Sequence, residues 1–318
     1  MPVFDLDPFL RAARRFAEDL GSVGWGYLAL ALALSLVLQL CRAHAWSNSL
    51  RAAYPDSNFR EREVAAAFLI GAGLNGVLPA KGGEAIKIVL AKRSVPRSSY
   101  PAIISSFAVL APFDSAAGLL VLLYAITQGL LPRLPEIPDL PAFEISFWVE
   151  NPEFLFFTLT ALGIGLLVLF VFLARRVEGF WARLRQGVAI LREPRRYVRE
   201  VVAWQAAGWI CRFASFWLFL DAFHIGGSFE TVLLVMSVQA IAGALPFTPG
   251  GAGAQQALLV ATLTGPTRSA VLAYSVGQQA AVTVWSVAIA IAAMVFVFRT
   301  RDWRGLLREG QEARGTTG

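Results

Sequence analysis

The chain has 318 residues, of which 56% are apolar and only 16% charged, and its mean hydropathy is +0.58. Soluble domains carry about 25% charged residues, so the composition excludes a disordered, nucleic-acid-coating or ordinary cytosolic chain and points to a polytopic membrane protein. The net charge of +6 resembles a nucleic-acid signature, but 8 of the 28 basic residues lie between Arg175 and Arg199 and 5 more follow Phe298. Basic clusters beside apolar runs read as cytoplasmic anchors. No disulfide framework is implied by Cys41 and Cys211, which sit in or beside apolar segments.

Residues 1–23 mix Arg11, Arg14 and Arg15 with acids and place Phe4, Phe9, Phe16 and Leu20 one or two turns apart. That pattern predicts an amphipathic helix at the membrane interface, not a signal peptide. Gly24 to Cys41 is the first apolar span, and residues 42–62 are polar with Arg42, Arg51, Arg60 and Arg62. Val64 to Pro79 is short for a crossing, which needs about 20 residues. It is interrupted by Gly71, Gly73, Asn75 and Gly76, and a second short helix is expected at Ala85–Leu90. Ala102–Gln128 reads as one long span containing Asp114.

Residues 129–153 hold five prolines and five acids against Arg133 alone. Phe154–Ala174 is a clean span, and Val201–Leu220 is a span with Arg212 near its middle. Thr231–Pro246 is again short and runs into Phe247-Thr248-Pro249-Gly250-Gly251-Ala252-Gly253. A half-length helix, Ala254–Leu263, precedes the final span, Ser269–Phe298. The fold class expected is therefore all-α and polytopic, with five full spans and two re-entrant hairpins.

Orientation follows from the charges. The 175–199 loop and the tail at 299–318 are expected in the cytoplasm and the acidic 129–153 loop outside. Residues 229–268 then have both ends outside and must turn back at Pro246–Gly253. The same logic puts Lys92–Arg97 inside. If residues 64–90 also turn back, the N-terminus lies outside.

Gly76-Val77-Leu78-Pro79 matches Gly243-Ala244-Leu245-Pro246, and each is followed within five residues by a Gly-Gly pair. Span, broken hairpin, span occurs twice, about residues 24–128 and 201–298, with the 154–174 span between. An odd number of crossings between the copies inverts the second. Short Gly/Pro-interrupted segments at matched places mark transporter-like sites, because non-helical backbone at membrane depth survives only beside protein or water.

The stretch Asn75 to Lys87, with Pro79, Lys81, Gly82, Gly83 and Glu84, resembles the first motif of the lysylphosphatidylglycerol synthase transmembrane-region family, and Leu245 to Gly253 resembles its second. The resemblance covers about residues 24–298. It implies a multi-pass protein of a bacterial-type inner membrane that moves a phospholipid or a polyprenyl-phosphate-type lipid between leaflets. This chain differs in having Lys81 and Lys87 where arginine is frequent, which loses the bidentate fork, and Gln255 and Gln256 where an acid is frequent. No soluble segment here exceeds about 25 residues, so no aminoacyl-transferase domain and no lysine transfer to lipid are expected.

The candidate substrate-binding set is Asn75, Lys81, Gly82, Gly83, Glu84, Lys87, Asp114, Arg212, Thr248, Gly250, Gly251, Gly253, Gln255 and Gln256. Glycines at helix starts leave free N–H groups that attract anions, or they serve close helix packing. Glu84 reads as a helix-start acid paired with Lys87, as a proton or cation carrier, or as a ligand for a cationic headgroup. Asp114 and Arg212 are costly charges inside apolar spans, expected to pair with each other or with Glu84 and Lys81, and equally open to contact with substrate. Gln239, Gln278 and Gln279 could line a cavity or bridge helices. No metal, nucleotide or hydrolase motif occurs, so no cofactor and no catalytic residue is expected. The leading reading is translocation of a lipid with an anionic, phosphate-containing headgroup. The alternatives are an intramembrane lipid-modifying enzyme with Glu84 as general base, which needs a second acid, base or metal, and a scaffold for a partner enzyme, which needs a filled apolar centre. Nucleic acid is not an expected partner; a second copy of the chain and a partner membrane enzyme both stay open as partners.

Overall fold

A computed structural model describes residues 21–78, 82–127, 178–244, 253–263 and 265–298. Residues 1–20 of the interfacial helix expected at 1–23, the Pro-rich 129–153 segment, the expected 154–174 span and both expected hairpin tips lie outside the described residues. Among the described residues all regular structure is helical.

The first helix, α1 (Trp25–Ala53), is longer than the expected span. At 1.5 Å per residue its 29 residues exceed the roughly 30 Å apolar core. Its first part exposes Trp25, Tyr27, Leu30 and Val37, whereas Ala43 and the run from Ala45 to Leu50 are buried. The polar 42–53 stretch is thus not a loop. Trp46 and Leu50 give it an apolar face on the same period, and that face joins the core.

Two short helices follow, α2 (Glu61–Asn75) and α3 (Gly82–Ser94), packed on each other. Each is too short to cross. A Cβ on Gly83 would run into the carbonyl oxygen of Gly71 and the backbone of Asn75, so only glycine allows this approach.

The expected 102–128 span is broken into α4 (Tyr100–Ala108) and α5 (Ala111–Thr127). Pro112 explains the break: it has no N–H and its ring crowds the carbonyl four residues earlier. The carbonyls of Val109 and Leu110 lie at the break, the latter keeping only a long ladder bond from Asp114 N–H at 3.4 Å. They accept hydrogen bonds from Tyr197 Oη (3.2 Å) and Gln205 Nε2 (3.0 Å).

The basic segment is likewise folded. It contains α6 (Glu178–Gly187), a 3₁₀ turn (Ala189–Arg192), α7 (Pro194–Tyr197) and a π turn (Val198–Val202). Gln186 Nε2 donates to Ala53 O at 2.9 Å, and Ser105 Oγ donates to Leu184 O at 3.0 Å. This segment therefore covers the same end of the bundle as the C-terminal end of α1.

The long α8 (Ala203–Ala222) runs antiparallel to α1 in the most extensive helix pair of the fold. Gly24 N–H donates to Ala222 O at 2.8 Å, Ser215 Oγ donates to Ala31 O at 2.8 Å, and Gly208 lies against Leu38 and Cys41. Ala45 clusters with Val201 further along. Both chains advance seven residues between these contacts, two helical turns, so the pair stays in step. The small residues let the backbones approach as membrane helices do.

Then come α9 (Phe229–Ala244), α10 (Ala254–Thr262) and α11 (Arg268–Ala293), which continues as a π turn over Met294–Phe298. Two cores result. One gathers α2, α3, α4 and the second half of α1; the other gathers α9, α10, the end of α8 and the start of α1. Helix α11 joins both, through Val271, Ala273 and Tyr274 in the second and Ala290 and Ala293 in the first. Among the described residues, three stretches can cross a membrane by length and composition: Trp25–Ala53, Tyr100–Val121 and Arg268–Phe298.

Candidate functional site

The sequence-predicted residues fall into three groups. The first stands on the α2–α3 hairpin. Asn75 Nδ2 donates to Glu84 Oε1 at 2.8 Å, and Lys87 Nζ lies 2.5 Å from Glu84 Oε2. Both carboxylate oxygens are therefore engaged. Lys87 is 2% exposed, and its ammonium lies 3.5 Å from the ring centre of Phe107 and 4.9 Å from that of Phe68. Burial of a lysine is costly; a carboxylate on one side and aromatic faces on the other offset it. This explains why a charge tolerates the centre of the first core. Gly82 begins α3, while Gly83 is a packing glycine against Gly71.

The second group corrects an expectation. Asp114 does not pair with Arg212, nor does Arg212 pair with Glu84, while Lys81 lies outside the described residues. The partner of Asp114 is Arg42, whose Nη1 and Nη2 meet Oδ1 at 3.2 Å and Oδ2 at 2.8 Å. Trp209 Nε1 also donates to Oδ1 at 3.0 Å. The continuation of α1 past Cys41 brings Arg42 level with the N-terminal turn of α5. Arg42 was missed because it sits at the edge of the apolar run, where it reads as a loop charge. A fork-to-fork pair of this kind binds both oxygens of a carboxylate.

The third group lines a cavity of about 350 Å³ among α1, α8, α9, α10 and α11. Arg212, Gln39, Gln239, Gln255, Gln278 and Gln279 are on its wall. Arg212 has no carboxylate within ion-pair distance among the described residues; its guanidinium lies 5.2 Å and 5.9 Å from the ring centres of Trp209 and Phe216. Gln255 and Gln278 are buried, and Gln278 Oε1 has no hydrogen-bond partner among the described residues. Gln39 is a wall residue that sequence reasoning passed over, since a lone glutamine in an apolar run carries no periodic signal.

Gly253 has φ +86°, the left-handed region that favours glycine, and donates its N–H to Gln256 Oε1 at 2.6 Å. Gln256 Nε2 in turn donates to Gln279 Oε1 at 3.0 Å. On the other hairpin, a Cβ on Gly76 would lie 3.2 Å from Thr283 Cγ2. Gln279 and Thr283 are one turn apart on α11, about 6 Å along the axis. The described ends of both hairpins thus reach the same level of α11. Lys81, Thr248, Gly250 and Gly251 lie outside the described residues. Among the described residues, no group of three His, Cys, Asp or Glu side chains could hold a metal ion.

No curated protein and no solved structure matches the chain. A family model described as the lysylphosphatidylglycerol synthase TM region matches residues 9–290. The motifs, the apolar helices and a match over most of the length agree: the chain is a membrane protein of the lysylphosphatidylglycerol synthase TM region family.

Proposed function

We propose that this protein moves a lipid with an anionic, phosphate-containing headgroup between membrane leaflets. The observation that carries the reading is Arg212, a cation without a carboxylate partner among the described residues, on the wall of an amide-lined cavity. A charge at membrane depth costs at least about 2.5–3.5 kcal/mol on insertion scales. An anionic ligand offsets that cost, whereas an apolar residue would avoid it altogether.

The α2–α3 hairpin packs into the core at one end of α1, and the α9–α10 hairpin into the core at the other. We read them as re-entrant halves of an inverted repeat, entering from opposite faces and meeting beside α11. Rocking one half against the other would expose the cavity to each leaflet in turn. The enzyme alternative has less support, because both oxygens of Glu84 are engaged by Asn75 and Lys87. The scaffold alternative predicts a filled, apolar centre, whereas a cavity is present and Arg212 and five glutamines stand on its wall.

The test is leaflet exchange of acyl-labelled phosphatidylglycerol in liposomes carrying the full chain, read by dithionite quenching. Wild type is expected to make the inner-leaflet label accessible. Arg212→Gln, which keeps the stem and removes the charge, should slow exchange by about tenfold or more, the loss of one charge-assisted hydrogen bond. Exchange no faster than in protein-free liposomes would sink the proposal.

A further inference from the structure

The chemistry of the cavity wall narrows the headgroup beyond its charge. A phosphate accepts hydrogen bonds and needs only donors, and Arg212 supplies up to five. The wall offers more than donors. Five glutamines stand on it, and each side-chain amide carries an acceptor oxygen as well as two N–H groups. Gln278 Oε1 is buried with no partner among the described residues, and an unsatisfied buried acceptor is costly. The wall hydroxyls of Ser35 and Ser215 donate to the carbonyls of Leu32 and Ala31 and not to Gln278.

Acceptors near the cation-bound phosphate need a ligand that donates. Two headgroup chemistries donate: hydroxyls and ammonium groups. An ammonium would face Arg212, and among the described wall residues there is no carboxylate to hold it. Asp114, on the seam between α1, α5 and α8, has its oxygens taken by Arg42 and Trp209. Like charges at close range in a low dielectric repel strongly. Size sets the remaining limit. The cavity volume of about 350 Å³ is at the low end of small-molecule sites, about 300–1,000 Å³, and suits one glycerol, inositol or single sugar.

Resting on the proposed function, we infer that the site selects a phosphate headgroup bearing neighbouring hydroxyls and no ammonium, the hydroxyls being read by Gln239, Gln255 and Gln278. A zwitterionic or aminoacylated phospholipid is rejected by Arg212, and a bare phosphate lipid leaves the amides unpaired. A site built to hydrogen-bond a hydroxyl discriminates against the analogue lacking it for that reason.

The experiment is a binding measurement on the full chain in detergent, following tryptophan fluorescence (Trp285 is on the wall). The probes are dioctanoyl phosphatidylglycerol, phosphatidylinositol, phosphatidic acid and phosphatidylethanolamine, with a short-chain prenyl phosphomannose. The hydroxyl-bearing anions should bind about tenfold more tightly than phosphatidic acid, and phosphatidylethanolamine more weakly still. The glycerolipid and prenyl arms share the polyol phosphate, and the tighter arm identifies the lipid anchor. Combining Gln239→Leu with Gln278→Leu should lower phosphatidylglycerol binding to the level of phosphatidic acid and leave the latter unchanged. Equal affinity of wild type for phosphatidylglycerol and phosphatidic acid, or for phosphatidylglycerol and phosphatidylethanolamine, overturns the inference. That panel needs no variant, so misfolding of the double substitution does not blunt it. Selective binding without leaflet exchange in liposomes would leave this inference standing and remove the translocation reading.

Discussion

Arg42 and Asp114, 72 residues apart in the chain, meet fork to fork on a half-buried seam between α1 and α5, and Trp209 of α8 donates to the same carboxylate. Three helices are tied at one point. Asp114→Ala is expected to lower stability by about 2 kcal/mol, because Arg42 is then left without its counter-charge. Arg42→Gln combined with Asp114→Asn should recover part of that loss. Thermal unfolding of wild type, Arg42→Gln, Asp114→Asn and the double variant in detergent gives the coupling, expected at about 1–2 kcal/mol. Additive losses would show that the pair is not a tie.

Lys87 should matter for folding. Lys87→Ala removes a buried stem from among Trp46, Phe68 and Phe107 and strands Glu84, and a loss of about 2–4 kcal/mol is expected. Lys87→Met keeps the volume, so with Glu84→Gln it should restore most of the stability. A Lys87→Ala protein that unfolds at the wild-type temperature but binds phosphate lipids less tightly would instead place Lys87 in the headgroup site.

Two glycines separate packing from propensity. Gly83→Ala drives a methyl into the Gly71 carbonyl oxygen, and the hairpin must open at a cost of about 3 kcal/mol. At Gly118, inside α5, an added Cβ meets nothing within 4 Å. Gly118→Ala should be neutral or stabilise by up to about 1 kcal/mol through helix propensity. Melting temperatures that shift equally for both would contradict the close approach of α2 and α3.

Topology is open to direct chemistry. Single cysteines replacing Lys92 and Arg185 are expected to resist an impermeant thiol reagent in intact cells and to react after lysis. One replacing Glu136 should react from outside. Labelling of positions 136 and 185 from the same side would exclude the orientation given by the basic clusters.

Much of the architecture could be read from periodicity and breaks. The all-helical class, the short α2 and α3, and the half-length α10 are written in run lengths and glycines. Three features were not. The helical course of residues 42–53 is hidden because a membrane-edge helix mixes Arg42, Ser47 and Arg51 with a buried Trp46, which lowers local hydropathy. The break at Val109–Leu110 depends on distant donors, Tyr197 and Gln205, that no local pattern announces. The same holds for the basic segment, where arginines suggest a solvated loop while Ile190 and Val201 are wholly buried. Within the site, Arg212 stood out as a lone charge. Its lack of a carboxylate partner among the described residues did not, since that depends on Arg42 having claimed Asp114.

The seven-residue register between α1 and α8 has a mechanical consequence. Two helices fixed at Gly24–Ala222, again at Ala31–Ser215, and near the far end where Asn48 Nδ2 donates to Glu200 O at 2.9 Å, act as a single beam. Sliding by less than a full repeat would set carbonyls and small residues out of step along its whole length. In the proposed cycle the beam is therefore the stationary part, and displacement falls to the ends of the short hairpins beside α11. A disulfide engineered between positions 24 and 222 should consequently leave lipid movement at the wild-type rate, whereas a crosslink holding Gly76 to Thr283 should arrest it.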